Sequence, residues 1–544
     1  MGKYVIGIDY GTLSARALLI DLATGQELSE AEFVYPHGVL GSDDFPGAAI
    51  GKEAALQHPR DYLDALSFTL RSVLEASGVA PENVLGLGID FTAATILAVD
   101  SDGTPLCFRE EYRTNPHAYA KLWKHHGAQQ EANEMTDLAL ERNEPWLSAC
   151  GGRVSSEWMF PKLWETLRKA PDVYRDTARF IEAGDWLVWM LTGKEIRSSC
   201  SAGFKAHWSR ESGYPSNAYF AALDPRLGNL IGTKIPETVI PTGTKAGEIS
   251  QQGSLLTGLL PGTAVSAPII DGHAGIPGAG VVTPGKMMLI IGTSAANFVL
   301  DPVRRDISGI CGCVSDGVIP GYYAYEAGQC CVGDAFGWFV NNCVPERYAL
   351  EARERNISLF QLLDEKAATL QVGENRLVVL DWWNGNRSPL ADYDLSGMIL
   401  GMTLKTKPEE IYRAFIEATA FGSRAIMERY RDSGIAIHEA YAAGGICRRN
   451  PFLMQLYADI LGMEIRVCTS TQATAKGSAI FAGIACGYYD SVEASAAVLA
   501  DKCEVRYIPD PGNTKRYLPL YQEYLELSRY FSSENNVMKR LKKL

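Results

Sequence analysis

The feature that most constrains this chain is a hairpin pattern that occurs twice, once at the N-terminus and once past mid-chain. The first copy runs apolar from Tyr4 to Ile8, passes through Gly7-Ile8-Asp9-Tyr10-Gly11-Thr12, and continues from Ala15 to Ile20, closing on Asp21. The second, Met287 to Asp301, reads MMLIIGTSAANFVLD: an apolar run, Gly292-Thr293-Ser294, and another apolar run closing on Asp301. From turn glycine to closing aspartate the copies differ in length by one residue. Such runs around a glycine turn predict β-hairpins with longer loops, and two copies predict a duplicated domain.

The turns also carry chemistry. Gly11 and Gly292 let backbone N–H groups approach phosphate oxygens closely, and Thr12, Ser14 and Thr293 add hydroxyls. Only the first copy has an acid before its Gly-Thr pair: Asp9, a hard oxygen ligand suited to hydrated Mg²⁺. Either turn alone reads equally well as an ordinary hairpin, since turns favour Gly and Asp. Together they could hold a nucleotide's phosphates from both sides.

The rest of the composition narrows the class. A chain of 544 residues is long enough for two or three domains, and 47% hydrophobic with 21% charged residues is a globular profile. A net charge of −13 argues against a nucleic-acid partner. No apolar run approaches the ~18 residues of a membrane span. The N-terminus enters a strand without a secretion signal, so a cytoplasmic location is expected. The twelve cysteines include no paired metal-ligand sets and are expected as buried reduced thiols. His125-His126 lie in Ala118 to Gln129, a run read as helical, where neighbouring positions do not share a face for a metal.

Along the chain, Pro59 to Glu75 predicts an amphipathic helix through Tyr62, Leu66, Leu70 and Val73. Val84 to Asp90 and Thr95 to Val99 predict strands, with a ligand crevice at the loop Phe91 to Ala94 between them. From about 105 to 260, tryptophans are frequent. Any one of Trp123, Trp146, Trp158 or Trp164 serves as core or as a sugar platform. Glu182, Asp185, Lys205 and His207 place polar groups in apolar text, as a polar pocket wall would. Ala267-Pro-Ile-Ile-Asp271 is an apolar strand ending in an acid, and the boundary between the halves falls there, at 265/266. Asp271 reads either as a base in an interdomain cleft or as a helix cap. Later, Thr406 to Glu409 has capping-box spacing, and Tyr441 to Ile446 is a strand into Gly444-Gly445. Asn450-Pro451 then opens a helix to Gly462. A glycine pair at such a turn offers bare backbone to an adenosine. Residues 501–544 are expected to form a helical appendage.

In this order, Asp9-Tyr10-Gly11-Thr12, Asp271-Gly272-His273 before Gly292-Thr293-Ser294, and Ala443-Gly444-Gly445 before Asn450-Pro451 resemble the FGGY family of carbohydrate kinases. The likeness runs to about residue 500. The family's second signature is matched by Gly397, Ile399, Gly401-Met402, Glu410-Ile411, Ala414, Ile416 and Glu417, with Phe415 where a smaller residue is usual. In the first signature Lys162 and Trp164 fit, and Met159 departs. The resemblance implies an α/β fold of two ribonuclease H-like (actin/hexokinase-type) domains with the active site in the cleft between them: residues 1–265 would bind sugar, and 266–500 ATP. It implies Asp271 as the base, Asp9 near Mg²⁺, Gly11-Thr12 and Gly292-Thr293 as phosphate loops, and Gly444-Gly445 with Asn450 beside the adenosine. Residues 155–162, 121–126 and 201–208 are most like the members that phosphorylate ribulose at its 5-hydroxyl in arabinose catabolism. In that likeness Ala93, Lys205, Asp271 and Glu326 surround the sugar. Another ketose or polyol, xylulose or glycerol among them, is the alternative substrate, and an actin-fold ATPase or chaperone the alternative function. The partner is then a small sugar, with no membrane, and a homodimer stays open.

Overall fold

The computed structural model describes residues 2–48, 50–542 and 544. Strands β1 (Tyr4–Tyr10) and β2 (Ser14–Asp21) pair antiparallel from Tyr4 opposite Asp21 to Tyr10 opposite Ala15. Strand β3 (Glu27–Val34) extends the hairpin and alternates in exposure, as an edge strand with one wet face should. Helix α1 (Pro59–Ser77) starts on a proline after the His58 cap and stops at Gly78, whose φ of 66° ends it in the left-handed region. Its Tyr62, Leu66, Leu70 and Val73 are fully buried, each worth about 1.5–3 kcal/mol of transfer free energy. Strand β4 (Val84–Phe91) then lies parallel to β1, which sets Gly7 against Gly88, Ile8 against Ile89 and Asp9 against Asp90.

Helices α2 (Met159–Lys169) and α3 (Ser199–Ala206) follow. Strands β5 (Lys245–Glu248), β6 (Ala264–Ser266) and β7 (Ile269–Ile270) complete a seven-stranded sheet of order β3-β2-β1-β4-β6-β5, with β7 on β4. Helix α4 (Asp271–Gly278) leads into the second half. There β8 (Gly285–Ile291) and β9 (Ala295–Asp301) form the second hairpin. Strands β10 (Gly312–Ser315) and β11 (Tyr323–Gln329) pair beyond β9. Helix α5 (Pro408–Asp432) precedes β12 (Ile437–Ala443), and β12 lies parallel to β8 as β4 does to β1. Helix α6 (Pro451–Leu461), β13 (Ile465–Val467), α7 (Ala473–Ala485), β14 (Val505–Tyr507) and α8 (Pro511–Arg529) end the order. The second sheet runs β10-β11-β9-β8-β12-β13-β14. The duplicated pattern is therefore a duplicated sheet core.

One element belongs to both halves. Helix α7 comes from the second half but packs on β1 and β4 of the first. Glycines make this possible: a Cβ on Gly7 would lie 1.9 Å from the Ala475 carbonyl oxygen, and one on Gly88 1.9 Å from that of Ser478. Helix α7 crosses α4 equally closely, with Gly278 against Ala473 and Gly477 against Ala274. A core of Val5, Ile20, Ala274, Met288, Tyr441, Ala479 and Phe481 fills the junction.

Four expectations are corrected. The run Ala118 to Gln129 is not helical: Ala120–Lys121 is a strand and the helix begins at Gln129, because Lys121 and His125 are drawn inward to the Glu165 carboxylate at 2.6 and 2.8 Å. Strand β7 lies beyond the 265 boundary yet hydrogen-bonds to the first sheet, since Ile269 and Ile270 continue the parallel register on β4. Residues 501–544 are no appendage: β14 edges the second sheet, and Tyr517, Tyr521 and Tyr524 of α8 are buried in its core. The cap of α5 sits one residue later than Thr406, with the Lys407 N–H donating to Glu410 at 2.6 Å, because Pro408 holds the residue before it extended. The expectation of buried reduced thiols also gives way, at Cys343, which is exposed, and at one pair. Ten cysteines are free, but Cys468 and Cys503 form a disulfide. No helix among the described residues is long and apolar enough to cross a membrane.

Candidate active site

Three acids stand where strands of the first sheet end. Asp9 is the last residue but one of β1, Asp90 lies beside it near the end of β4, and Asp271 follows β7. Asp9 Oδ2 accepts the Thr474 hydroxyl at 2.8 Å, and Asp90 Oδ2 accepts the Ser478 hydroxyl at 2.7 Å. Both hydroxyls come from α7. Burial, then the Asp9 charge, pushes Asp271 up to about 7, against the opposing pull of the Gly272 N–H and Lys205. Burial and Asp9 also raise Asp90 well above the usual carboxylate range. The Asp271 Oδ1 accepts the Gly272 N–H at 2.6 Å, so it tops α4 as well as facing the other acids.

A second cluster straddles the two halves. Lys205, at the end of α3, lies 3.9 Å from Glu326 Oε2 on β11. His273, one turn into α4, places Nε2 3.3 Å from the same oxygen and Nδ1 3.1 Å from Cys200 Sγ. Burial alone would raise Glu326, but Lys205, His273 and Arg387 outweigh it and hold the carboxyl below its usual range. Burial keeps His273 below the ordinary histidine value, against the opposing pull of Glu326. Helix α3 is fixed against the second half by the Ser199 hydroxyl, which donates to the Asp316 carbonyl at 2.6 Å. A cavity of about 640 Å³ opens here, within the ~300–1,000 Å³ of small-molecule sites. Lys205, Glu326, Trp158, Cys311 and Arg387 are among its walls; Asp271 and the phosphate turns are not.

Ala93 lies in the bend after β4, where Ala94 takes a positive φ of 49°. Buried Lys162 pins that bend, donating to the Ala94 carbonyl at 2.6 Å and the Leu122 carbonyl at 2.8 Å. The two glycine turns differ in their supports. Gly11 N–H donates to Ser14 O, while Thr12 accepts Gln57 on its carbonyl and Trp123 Nε1 on its hydroxyl. Ser14 gives its own hydroxyl to Glu32 on β3 and points away. Gly292 N–H donates to Ser294 O, and the Thr293 carbonyl accepts the Val332 N–H, leaving the Thr293 side chain exposed. Gly444, at φ 115°, sits against the Ile291 carbonyl with no room for a Cβ. Asn450 is occupied at both ends: its oxygen caps α6 at Leu453 and its amide donates to Asp364. It therefore shapes the turn after Gly444-Gly445.

Asp90 and His273 were missed as site residues in the sequence. Asp90 had a signal: Gly88-Ile89-Asp90 repeats Gly7-Ile8-Asp9. His273 had only its place two residues after Asp271. Glu182, in the polar text noted above, is buried and pushed up to about 8 by burial and Asp185. Trp164 is core, whereas Trp158 lines the cavity.

Hard carboxylate oxygens at Asp9, with a phosphate turn beside it, fit Mg²⁺, which takes one or two carboxylates and completes its shell with water and substrate phosphates. The one three-ligand group among the described residues is Cys468, Asp501 and Cys503, and its two sulfurs are already bonded to each other.

Comparison with known proteins decides the family. The N-terminal domain of the FGGY family of carbohydrate kinases matches residues 4–278, and the C-terminal domain matches 287–486. The chain belongs to the FGGY family of carbohydrate kinases. This FGGY kinase is 50% identical over 537 residues to the ribulokinase of Bacillus licheniformis, covering 98% of this chain and 97% of that one. It is 43% identical to the ribulokinase of Mycolicibacterium smegmatis, covering 99% and 96%. The fold matches the xylulose kinase of Rhodospirillum rubrum with a TM-score of 0.80 at 22% identity, covering 97% and 99%. It also matches the Plasmodium falciparum glycerol kinase with ADP, with a TM-score of 0.76 at 15% identity, covering 97% and 98%. At such identities the solved structures speak for the FGGY fold alone.

Proposed function

We propose that this kinase transfers the γ-phosphoryl group of ATP to the 5-hydroxyl of ribulose. The carrying observation is the Lys205–His273–Glu326 cluster across the junction of the halves, with His273 two residues along α4 from Asp271, in a chain 50% identical to a protein named ribulokinase. Asp271 takes the proton of the attacking hydroxyl. Its position at about 7 leaves a useful share ionised at neutral pH while keeping it basic enough to accept. Lys205 and Glu326 hold ketose oxygens as donor and acceptor, and Ala93 leaves room for the chain. In the turns Gly11-Thr12 and Gly292-Thr293 the glycine N–H groups are spent on Ser14 and Ser294, so the Thr12 and Thr293 N–H groups are those that meet the phosphates, and Gly444-Gly445 presents flat backbone to the adenosine. Asp9 is the residue to hold Mg²⁺, which when bound neutralises phosphate charge in a loose transition state. Closing the halves excludes water that would otherwise hydrolyse ATP. Drawing on ATP and a free sugar, the enzyme belongs in the cytoplasm.

A coupled ADP-release assay across L-ribulose, D-ribulose, D- and L-xylulose and glycerol tests this. A ribulose is expected to give the highest kcat/KM; a xylulose or glycerol in its place would overturn the sugar assignment and leave the family standing. Lys205→Met is expected to raise the KM for ribulose by roughly 10- to 100-fold, the loss of one or two charged hydrogen bonds, with KM for ATP unchanged. A rise confined to ATP would remove Lys205 from the sugar pocket.

A further inference from the structure

We propose that Arg387 is a specificity-determining residue that grips the 1-hydroxyl and 2-carbonyl oxygens of the ketose, the end opposite the hydroxyl that receives the phosphoryl group. Arg387 shares the wall of the 640 Å³ cavity with Lys205 and Glu326 but comes from a separate stretch of the second half. Its side chain is half-buried. Asp137, Glu157 and Glu326 belong to the same wall, and none comes within the 4.0 Å of an ion pair with it. Cys311 and Tyr393, its neighbours there, are neutral at pH 7. A guanidinium carries five N–H donors in a planar fork and is always charged. Half-buried and without a carboxylate partner, such a cation is costly unless oxygens of a ligand complete it.

The backbone around Arg387 is held from every side. Asn386 and Asp392 exchange both backbone hydrogen bonds, at 2.9 and 2.8 Å, and the Asn386 side-chain oxygen accepts the Leu390 N–H at 3.0 Å. A Cβ on Gly309 would lie 1.8 Å from the Pro389 carbonyl oxygen, so the loop lies flush on the strand of chain that carries Cys311. From outside, the C-terminal helix Val537–Leu541 and the residue after it complete the clamp. Lys539 Nζ meets Asp392 at 2.5 Å, and Lys542 Nζ donates to the Tyr393 carbonyl at 2.6 Å. A donor fixed in this way loses little freedom when a ligand arrives.

The end of the sugar follows from the cavity walls. Asp271 is not among them and Arg387 is. With the 5-hydroxyl at Asp271, the arm of the ketose that reaches into the cavity carries O1 and O2. Those oxygens sit side by side on adjacent carbons and can lie in one plane, as a bidentate fork requires.

The inference rests on the kinase reading, and the two fail separately. The test titrates the full chain with L-ribulose, 1-deoxy-L-ribulose and 5-deoxy-L-ribulose, followed by tryptophan fluorescence, since Trp158 lies in the same wall. Arg387→Met is expected to weaken ribulose and its 5-deoxy analogue alike, by about 10- to 100-fold, and the 1-deoxy analogue by no more than about fivefold. The KM for ATP stays at the wild-type value. Equal losses for the two analogues, or wild-type affinity for ribulose, overturns the proposal. Arg387→Lys keeps the charge without the fork and is expected to cost ribulose about fivefold. If Arg387→Met does not fold, this variant decides, and wild-type ribulose affinity in it overturns the proposal. A wild-type enzyme that binds ribulose but phosphorylates no ketose sinks the kinase reading and leaves the titration standing; one that binds no ribulose overturns both.

Discussion

Asp271→Asn is expected to abolish sugar phosphorylation, lowering kcat by about 10²–10⁴-fold while Mg·ATP binds as before. The amide has the size of the acid and keeps an oxygen for the Gly272 N–H, so the start of α4 is undisturbed. What it cannot do is accept a proton. The acid's elevated position near 7 adds a second signature. A general base works only when ionised, so wild-type kcat/KM should fall tenfold per pH unit below about 7 and level off above it. The residual activity of Asp271→Asn should lose that acid limb. Near-normal turnover in the variant, or an acid limb that persists in it, would move the base elsewhere.

That residue shows how far the sequence could be read. The position of Asp271 after an apolar run and before the second hairpin marked it, yet cap and base were equal readings from sequence. In the structure it is the first residue of α4, one past the Ile270 cap position, so the cap reading gives way. The hairpins, α1, β4 and the Asn450-Pro451 helix start were legible because period, glycine and proline act locally. The strand at Ala120–Lys121 was not, since its conformation follows from a buried carboxylate, Glu165, some forty residues away in sequence. Asp90 was hidden for a related reason: its neighbours are set by sheet register and by a helix nearly four hundred residues later. The cavity, too, is assembled from both halves, and no one stretch contains its walls.

Gly88→Ala is the second large effect expected, here on stability. The added Cβ would lie 1.9 Å from the Ser478 carbonyl oxygen, and backbone cannot rotate away as a side chain can. Helix α7 must lift from the sheet, at a cost of about 3 kcal/mol. For a cooperative unit of about 250 residues that lowers Tm by roughly 6–12 °C. Lifting α7 also draws Ser478 from Asp90 and Thr474 from Asp9, so kcat should fall in the fraction that stays folded. Gly337→Ala supplies the control. It lies within the helix Gly333–Cys343, a Cβ there meets nothing within 4 Å, and alanine should stabilise by about 0.5–1 kcal/mol. Thermal unfolding of the two variants reads this directly. Equal melting temperatures would mean that α7 does not bear on the sheet as tightly as its backbone contacts require.

Those contacts have a mechanical consequence. Where Gly7 and Gly88 let α7 ride on strand backbone, the pair resists sliding more than turning, as an axle does in a bearing. Opening and closing of the kinase would then be a rotation about α7, with each residue sweeping an arc in proportion to its distance from that axle. Asp9 and Asp90 are bonded to it, and Asp271 begins the helix that crosses it, so these acids scarcely move. On such an axis the acids would keep one geometry while the halves open and close around the substrates.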